Sequence, residues 1–272
     1  MKFRTILSCF MAACLLVGGT TEINAQKKGA RKSTTTKKSG TTSTSSASGK
    51  KTPITVDTFK GSEYKGFMEL SAEEGFYYIK LNFKNTEAIL DLKGEKDCSY
   101  NVANNVLTVK NHYLLMTLTS PDNGITLTGP FKNTATNFTK KIFLSRANPG
   151  NFDAEAFKKG LESGAYNTIL EIYKDKDTTV SIPVTVKYTP DEDDSDSGSF
   201  KISSDHKVAT AIGVLKGDFT FDSSKMTVKG VENSQHTYEY NKLGKDFIML
   251  NLGTKYLSGF GNSTFYLYFM KK

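Results

Sequence analysis

From Pro53 to Lys272 apolar and polar residues alternate in short runs, broken by Gly, Asn, Asp or Ser at roughly 8 to 12 residue intervals. In "KLNFKN", Leu81 and Phe83 fall on one side of an extended chain and Lys80, Asn82 and Lys84 on the other, because successive strand side chains point to opposite faces. "VLTVK" sets Leu107 and Val109 against Val106 and Thr108, which predicts a strand covered on both faces. Runs of this kind, rich in Val, Ile, Thr, Phe and Tyr, predict strands over residues 54–58, 65–70, 76–83, 88–92, 106–110, 113–118 and 141–145. The pattern resumes over 168–173, 180–188, 207–214, 218–221, 226–229, 237–240, 247–251 and 265–270. Many short strands at even spacing indicate a sandwich or a barrel.

One stretch departs from this period. "NPGNFDAEAFKKGLESG" offers Asn151 as an N-cap, Asp153 and Glu155 in the first turn, Phe157 and Leu161 one turn apart, and Gly164 as a stop. These signals predict an amphipathic helix over 152–163. The helix falls near the midpoint of the patterned region. The expected fold is therefore all-β: two small antiparallel β barrels or sandwiches, residues 53–148 and 166–272, joined through a helical connector at 149–165. The halves share an echo. "LKGEKDCSYNVANNVLTVK" (92–110) and "LKGDFTFDSSKMTVK" (215–229) both open Leu-Lys-Gly-acid and close Thr-Val-Lys, and each half finishes on an apolar strand with basic residues, "KKIFLSR" and "TFYLYFMKK". Duplication and chance recurrence in a Lys- and Thr-rich chain both account for it.

The second copy also carries a resemblance. "LKGDFTFDSSKMTVKGVENSQHTYEYNKLGKDFIMLNLG" resembles the small lipocalin-like β-barrel domains of exported proteins from Bacteroides-type bacteria. The matching positions are Phe219 and Phe221, Thr227 and Gly230, Tyr238 and Tyr240, and the apolar run 248–252. The likeness spans under a quarter of the chain and contains no residue of diagnostic chemistry, so it implies a fold and no activity.

The amino terminus adds location. Lys2 and Arg4, an apolar run over 6–18, and Ile23-Asn24-Ala25 form a secretory signal peptide over residues 1–25, cleaved near Ala25. Lipid attachment at Cys14, after "MAA", is the rival, although the apolar run continues past that cysteine. The product is expected in the periplasm, at the cell surface or outside the cell. Residues 26–52 are Ser, Thr, Lys and Gly, too polar to offset their ordering entropy, and read as a disordered basic linker.

Charge then sorts the candidate partners. The whole chain carries +8; residues 1–25 carry +1 and residues 26–52 hold eight Lys or Arg and no acid, which leaves −1 for residues 53–272. The basic character belongs to the linker. Nucleic acid is not expected, because the folded part lacks net basicity and the linker has no aromatic to stack on bases. Residues 26–52 are expected either to make weak contact with an anionic surface, since each Lys or Arg beside anionic lipid contributes about 1 kcal/mol, or to serve as a spacer with no partner. No segment after residue 25 has the apolar length of a transmembrane helix. The strands look short for an outer-membrane barrel, and the sequence given closes on Lys271-Lys272 rather than an aromatic.

Candidate chemistry is sparse. Past residue 25 the only cysteine is Cys98, so no internal disulfide or Cys-rich zinc site is expected. His112, His206 and His236 are isolated, with no second ligand at metal spacing. "TPDEDDSDSGSF" fails the EF-hand pattern, because Ser stands at three of the four ligand positions tested. "GLESG" and "SGFGNS" lack the context of a nucleophile elbow or a phosphate cradle. No cofactor is expected. The aromatic complement is 13 Tyr, 18 Phe and no Trp, which disfavours sugar stacking. Alternation pairs Phe219 with Phe221 and Tyr238 with Tyr240 on one face. These four are core residues or the wall of a pocket for a small apolar ligand. The expected function is a non-enzymatic binding or structural protein, with a small apolar ligand or an envelope component as partner. An exported hydrolase with scattered site residues is the alternative.

Overall fold

Eight strands run up and down in sequence order and close on themselves. The computed structural model describes residues 53–272 except 72–73, 93, 137, 176–177 and 259. The expected signal peptide (1–25), Cys14 and the expected linker (26–52) lie outside the described residues. The eight strands are β1 (Glu63–Ser71), β2 (Gly75–Phe83), β3 (Glu87–Asp91), β4 (Glu95–Ala103), β5 (Val106–Lys110), β6 (Leu114–Thr119), β7 (Thr126–Asn133) and β8 (Thr139–Arg146). Each pairs antiparallel with the next, and β8 returns to β1 with Arg146 opposite Tyr64 and Ile142 opposite Met68. Closure removes the sheet edges, and an eight-strand barrel is just wide enough to be filled by its own side chains. Ile79, Leu81, Leu90, Leu107, Met116 and Leu127 fill it, all fully buried. The outward rows carry Lys65, Lys80, Lys110 and Lys132.

One end of the barrel is closed by a cation. A 3-10 turn, Val56–Thr58, leads into Phe59, whose buried ring lies 5.3 Å from that of Phe83 and 6.0 Å from that of Tyr64. Arg146, at the end of β8, reaches across. Its Nη2 donates to the carbonyls of Thr58 (3.2 Å) and Gly124 (3.0 Å) and to the Tyr64 hydroxyl (3.1 Å). The Tyr64 hydroxyl donates in turn to the Gly124 carbonyl.

The remaining strands are β9 (Tyr166–Tyr173), β10 (Thr179–Pro183), β11 (Thr185–Pro190), β12 (Ser197–Ser203), β13 (Leu215–Phe221), β14 (Lys225–Lys229), β15 (Gln235–Glu239), β16 (Phe247–Leu257) and β17 (Gly261–Lys271). β10, β9, β17 and β16 continue the first sheet, joined to the barrel where Ser181 of β10 pairs with Phe76 of β2. β11 to β15 form a second, five-stranded sheet. Helix α1 (Ala154–Ser163) precedes β9 and buries Phe157 and Leu161 against both groups of strands. Gly160 is required there: a Cβ at that position would lie 2.5 Å from the Tyr166 ring. These strands, α1 and the barrel belong to one compact unit.

The structure changes several expectations. Residues 56–58 are the 3-10 turn rather than part of a strand over 54–58. The strand expected over 207–214 is helix α2 (Lys207–Ile212), because the His206 ring accepts from the Val208 amide (3.2 Å) as an N-cap and Gly213 ends the turn at φ 73°. α1 is capped by Asp153, which accepts from Ala156 N at 3.0 Å; Asn151 instead takes a left-handed φ of 63°. The run 180–188 is broken at Val184 into β10 and β11. β4, β7 and β12 were not expected, and β16 and β17 reach eleven residues each, longer than their apolar runs suggest. Replacing Arg146 by Met removes charge-assisted bonds to three oxygens and is expected to destabilise the protein by about 1.5–3 kcal/mol in urea unfolding. An unchanged midpoint would mean that the barrel end is held without it.

Candidate functional site

The barrel wall is apolar on the outside along β1, β2 and β8. Phe67, Phe76, Tyr78 and Phe143 stand one residue out of step with the inward rows and so point outward. Ile169 of β9, Phe247 of β16, and Tyr268 and Met270 of β17 cover them. Phe67 is completely buried, with its ring centre 5.1 Å from that of Tyr268 and 5.6 Å from that of Tyr78 in edge-on contacts. Such geometries match the positive ring edge to the negative ring face.

A carboxylate is buried in this seam. Glu171 lies two residues after Ile169 on β9 and shares its face. It is 9% exposed; Oε1 accepts from the Tyr268 hydroxyl at 3.1 Å and Oε2 from the Ser181 hydroxyl at 3.4 Å. Burial raises its pKa, and the two hydrogen bonds offset only part of that. Burial, with the nearby Glu171 charge, likewise pushes up the phenols of Tyr268 and Tyr78. Asp246, just before β16, is also buried. Lys271 Nζ stands 3.7 Å from its Oδ1, beyond hydrogen-bonding range, and desolvation raises its pKa against the pull of Lys271 and Lys245.

Beside the seam runs a groove of about 440 Å³. Phe76, Phe143, Ile169 and Met270 form its floor; Glu69, Thr128, Lys141, Asn167 and Lys272 stand on its rim. An apolar floor with a few polar groups around it suits an elongated molecule with an apolar body and polar ends.

The four aromatic residues singled out in the sequence gather around one cluster. Phe219 and Phe221 are buried; Tyr238 and Tyr240 are half-buried and pack against it. Side chains occupy the space between. Phe219 stacks on Phe200 at 4.5 Å, and Phe157 of α1 meets Phe219 at 6.1 Å and Phe221 at 6.3 Å. Both tyrosine hydroxyls hold backbone. Tyr238 accepts from Asn251 N (2.6 Å), bridging β15 and β16 where no ladder forms, and Tyr240 donates to the Asp222 carbonyl (2.7 Å).

The other candidates lie apart. His112 is in the β5–β6 loop, His206 caps α2, and His236 is in β15 opposite Val228. Cys98 points into the barrel, and burial pushes its thiol pKa up, away from a reactive thiolate. In the acidic turn, Asp191 and Asp194 accept from the amides of Asp193 and Asp196, and Lys158 of α1 reaches Asp196 at 3.5 Å. Among the described residues no three His, Cys, Asp or Glu side chains gather to hold a metal.

Sequence reasoning missed the seam. Its traces are strands apolar on both faces, "FYYIK" and "IFLS", and an acid inside an apolar strand, "TILEIY". Because Glu171 keeps its proton longer folded than unfolded, the folded state binds the extra proton, and this part of the stability falls as pH rises above the ordinary 4.5. Glu171→Gln is expected to flatten that decline in melting temperature; a variant with the wild-type slope would put the titrating group elsewhere. Phe221→Ala is expected to destabilise by about 3–5 kcal/mol, read from thermal or urea unfolding.

The chain matches no family model and no curated protein. Among solved structures, the Burkholderia oklahomensis agglutinin is similar over 80% of this chain and 99% of its own, at 9% identity and a TM-score of 0.21. A protein of unknown function from the DUF3598 family of Nostoc punctiforme is similar over 81% and 100%, at 10% identity and a TM-score of 0.22. Neither likeness transfers a residue or a ligand to this chain.

Proposed function

We propose that this chain is an exported, non-enzymatic β protein of the bacterial envelope that acts by binding through its outer surfaces. The observation that carries the reading is that two of its buried charged side chains, Glu171 and Lys158, are held by neighbouring protein groups, while the third, Asp246, stands apart with Lys271 nearby. Glu171 is held by Tyr268 and Ser181, and Lys158 by Glu155, Asp196 and the Ser195 carbonyl. Acid–base catalysis needs such groups to converge on a substrate within hydrogen-bond reach. The interiors are filled by aromatic and aliphatic side chains, which leaves grooves such as the one beside the seam to receive a ligand. Export rests on the reading of residues 1–25, and the linker over 26–52 is the element that would hold the body off an anionic surface.

The same reading includes a tandem of two eight-strand meanders, residues 53–148 and 166–272, in keeping with the lipocalin-like resemblance. Taking β10 and β11 as one strand interrupted at Val184, the 92–110 and 215–229 echo falls on the fourth and fifth strands of each half. The two ends also correspond. Tyr64 pairs with Arg146 and Tyr166 with Lys271, first strand to last. Arg146 N donates to the Ile125 carbonyl and Lys271 N to that of Asp246, each just before the seventh strand. Arg146 and Lys272 each donate to a carbonyl of the helical turn that precedes the first strand, Thr58 (3.2 Å) and Gly164 (2.7 Å).

The test is to incubate the full chain with chromogenic glycosides, esters and peptides between about pH 5 and 8, and to record its melting with envelope extracts and amphiphiles. No turnover is expected. A ligand present at about a hundred times its Kd adds about 2.7 kcal/mol, or several degrees of melting temperature for a body of this size. Turnover that disappears in Glu171→Gln would overturn the reading.

A further inference from the structure

Three lysines face one another across adjacent strands. The β11–β12 register sets Lys187 opposite Lys201, and the β12–β13 register sets Lys201 opposite Lys216. All three are exposed on the outer face of the five-stranded sheet. Lys229 of β14 stands one row along, opposite Asp218. Like charges directly opposite on one face destabilise a strand pair, because their side chains start about 5 Å apart. Some lysines elsewhere have carboxylates beside them: Lys65 and Lys80 meet Glu63, and Lys225 meets Asp222. Lys187, Lys201, Lys216 and Lys229 have no ion pair among the described residues. The cluster is not a by-product of general basicity, since residues 53–272 carry a net −1.

The four lysines line a cleft of about 490 Å³, with Thr189, Ser199 and Asn233 beside them and a single carboxylate, Asp218, so that the lining side chains carry a net +3. Strands spaced about 4.8 Å apart spread the three opposed ammonium groups over about 10 Å. That array can meet successive negative groups along one polymer, while hydroxyl and amide side chains meet its hydroxyls. The chemistry separates the candidate polyanions. The exposed large apolar residues, Tyr113, Tyr173, Val214, Met249 and Tyr256, do not line the cleft, and its one aromatic lining residue, Phe200, is buried and stacked on Phe219, so no ring is presented to bases or to a bilayer. We propose that the Lys187–Lys201–Lys216 row, with Lys229, binds a linear anionic polysaccharide. The proposal rests on the function above in one respect, that the chain acts by binding.

The experiment titrates the full chain with labelled polygalacturonate and dextran sulfate, with neutral dextran, phosphatidylglycerol vesicles and single-stranded DNA as comparisons, at low and high salt. Binding to the two anionic glycans in preference to the comparisons is expected. The triple variant Lys187→Gln, Lys201→Gln, Lys216→Gln is expected to weaken it by about tenfold to a hundredfold and make its salt dependence shallower by about two ions. The same variant should melt no lower than wild type, since it relieves opposed charges, so lost affinity will not reflect unfolding. A second variant, with the Lys and Arg of residues 26–52 changed to Gln, should keep most of the affinity. Wild-type affinity in the triple variant would overturn the site while leaving a binding protein; equal or better binding of vesicles or DNA would overturn the ligand class. No binding of either glycan would overturn the proposal. Cleavage of a glycan would instead overturn the non-enzymatic reading.

Discussion

Phe67 points out of a barrel and is nevertheless completely buried. A closed barrel with a polar exterior is complete on its own, but one with an outward stripe of Phe67, Phe76, Tyr78 and Phe143 exposes an aromatic patch until something covers it. The cover is the face of β9 and β17 bearing Ile169, Tyr268 and Met270. Those residues must keep strict alternation, because their neighbours Leu170, Leu267 and Phe269 fill the second core. A slip of one residue would exchange the two sets and leave both cores unfilled. The aromatic seam thus constrains the register of strands that never belong to the barrel.

Within that seam the sequence tolerates a buried acid. Two hydroxyls hold Glu171, and its proton becomes harder to remove than in water. Asp246 is treated differently, with a lysine nearby and one oxygen left without a hydrogen bond. Both sit where the barrel meets the later strands. The hydroxyls that hold Glu171 come from β10 and β17, the strands on either side of β9, so its bonds tie these three strands to one another.

How much of this could be read from the chain depends on whether the signal was local. α1 was legible because acids, an apolar pair and a glycine stop lie within a dozen residues, and the structure moved only its cap. α2 was not, because "KVATAI" contains β-branched residues that suit a strand; an imidazole cap and Gly213 decide the outcome. β12 was hidden because Gly198 occupies an inward position beside Phe200 and Ile202, so its alternation lacks one apolar letter. β7 was hidden by Gly129-Pro130. The aromatic cluster around Phe219 was legible as a cluster, but its packing against Phe157 needed the helix to fold back onto it. The lysine row was illegible in principle: its members lie a hairpin apart, and only strand register makes them neighbours.

The closure of the first sheet also has a mechanical side. β1 lies between β2 and β8, and β17 lies between β9 and β16. Neither strand is an edge, so a force applied to either cannot peel it away one hydrogen bond at a time; two ladders must yield together. The weak line is instead between β15 and β16, where Tyr238 and Ser234 bridge the backbones in place of a ladder. Under load the described body would therefore part between β15 and β16 before it frayed at β1 or β17.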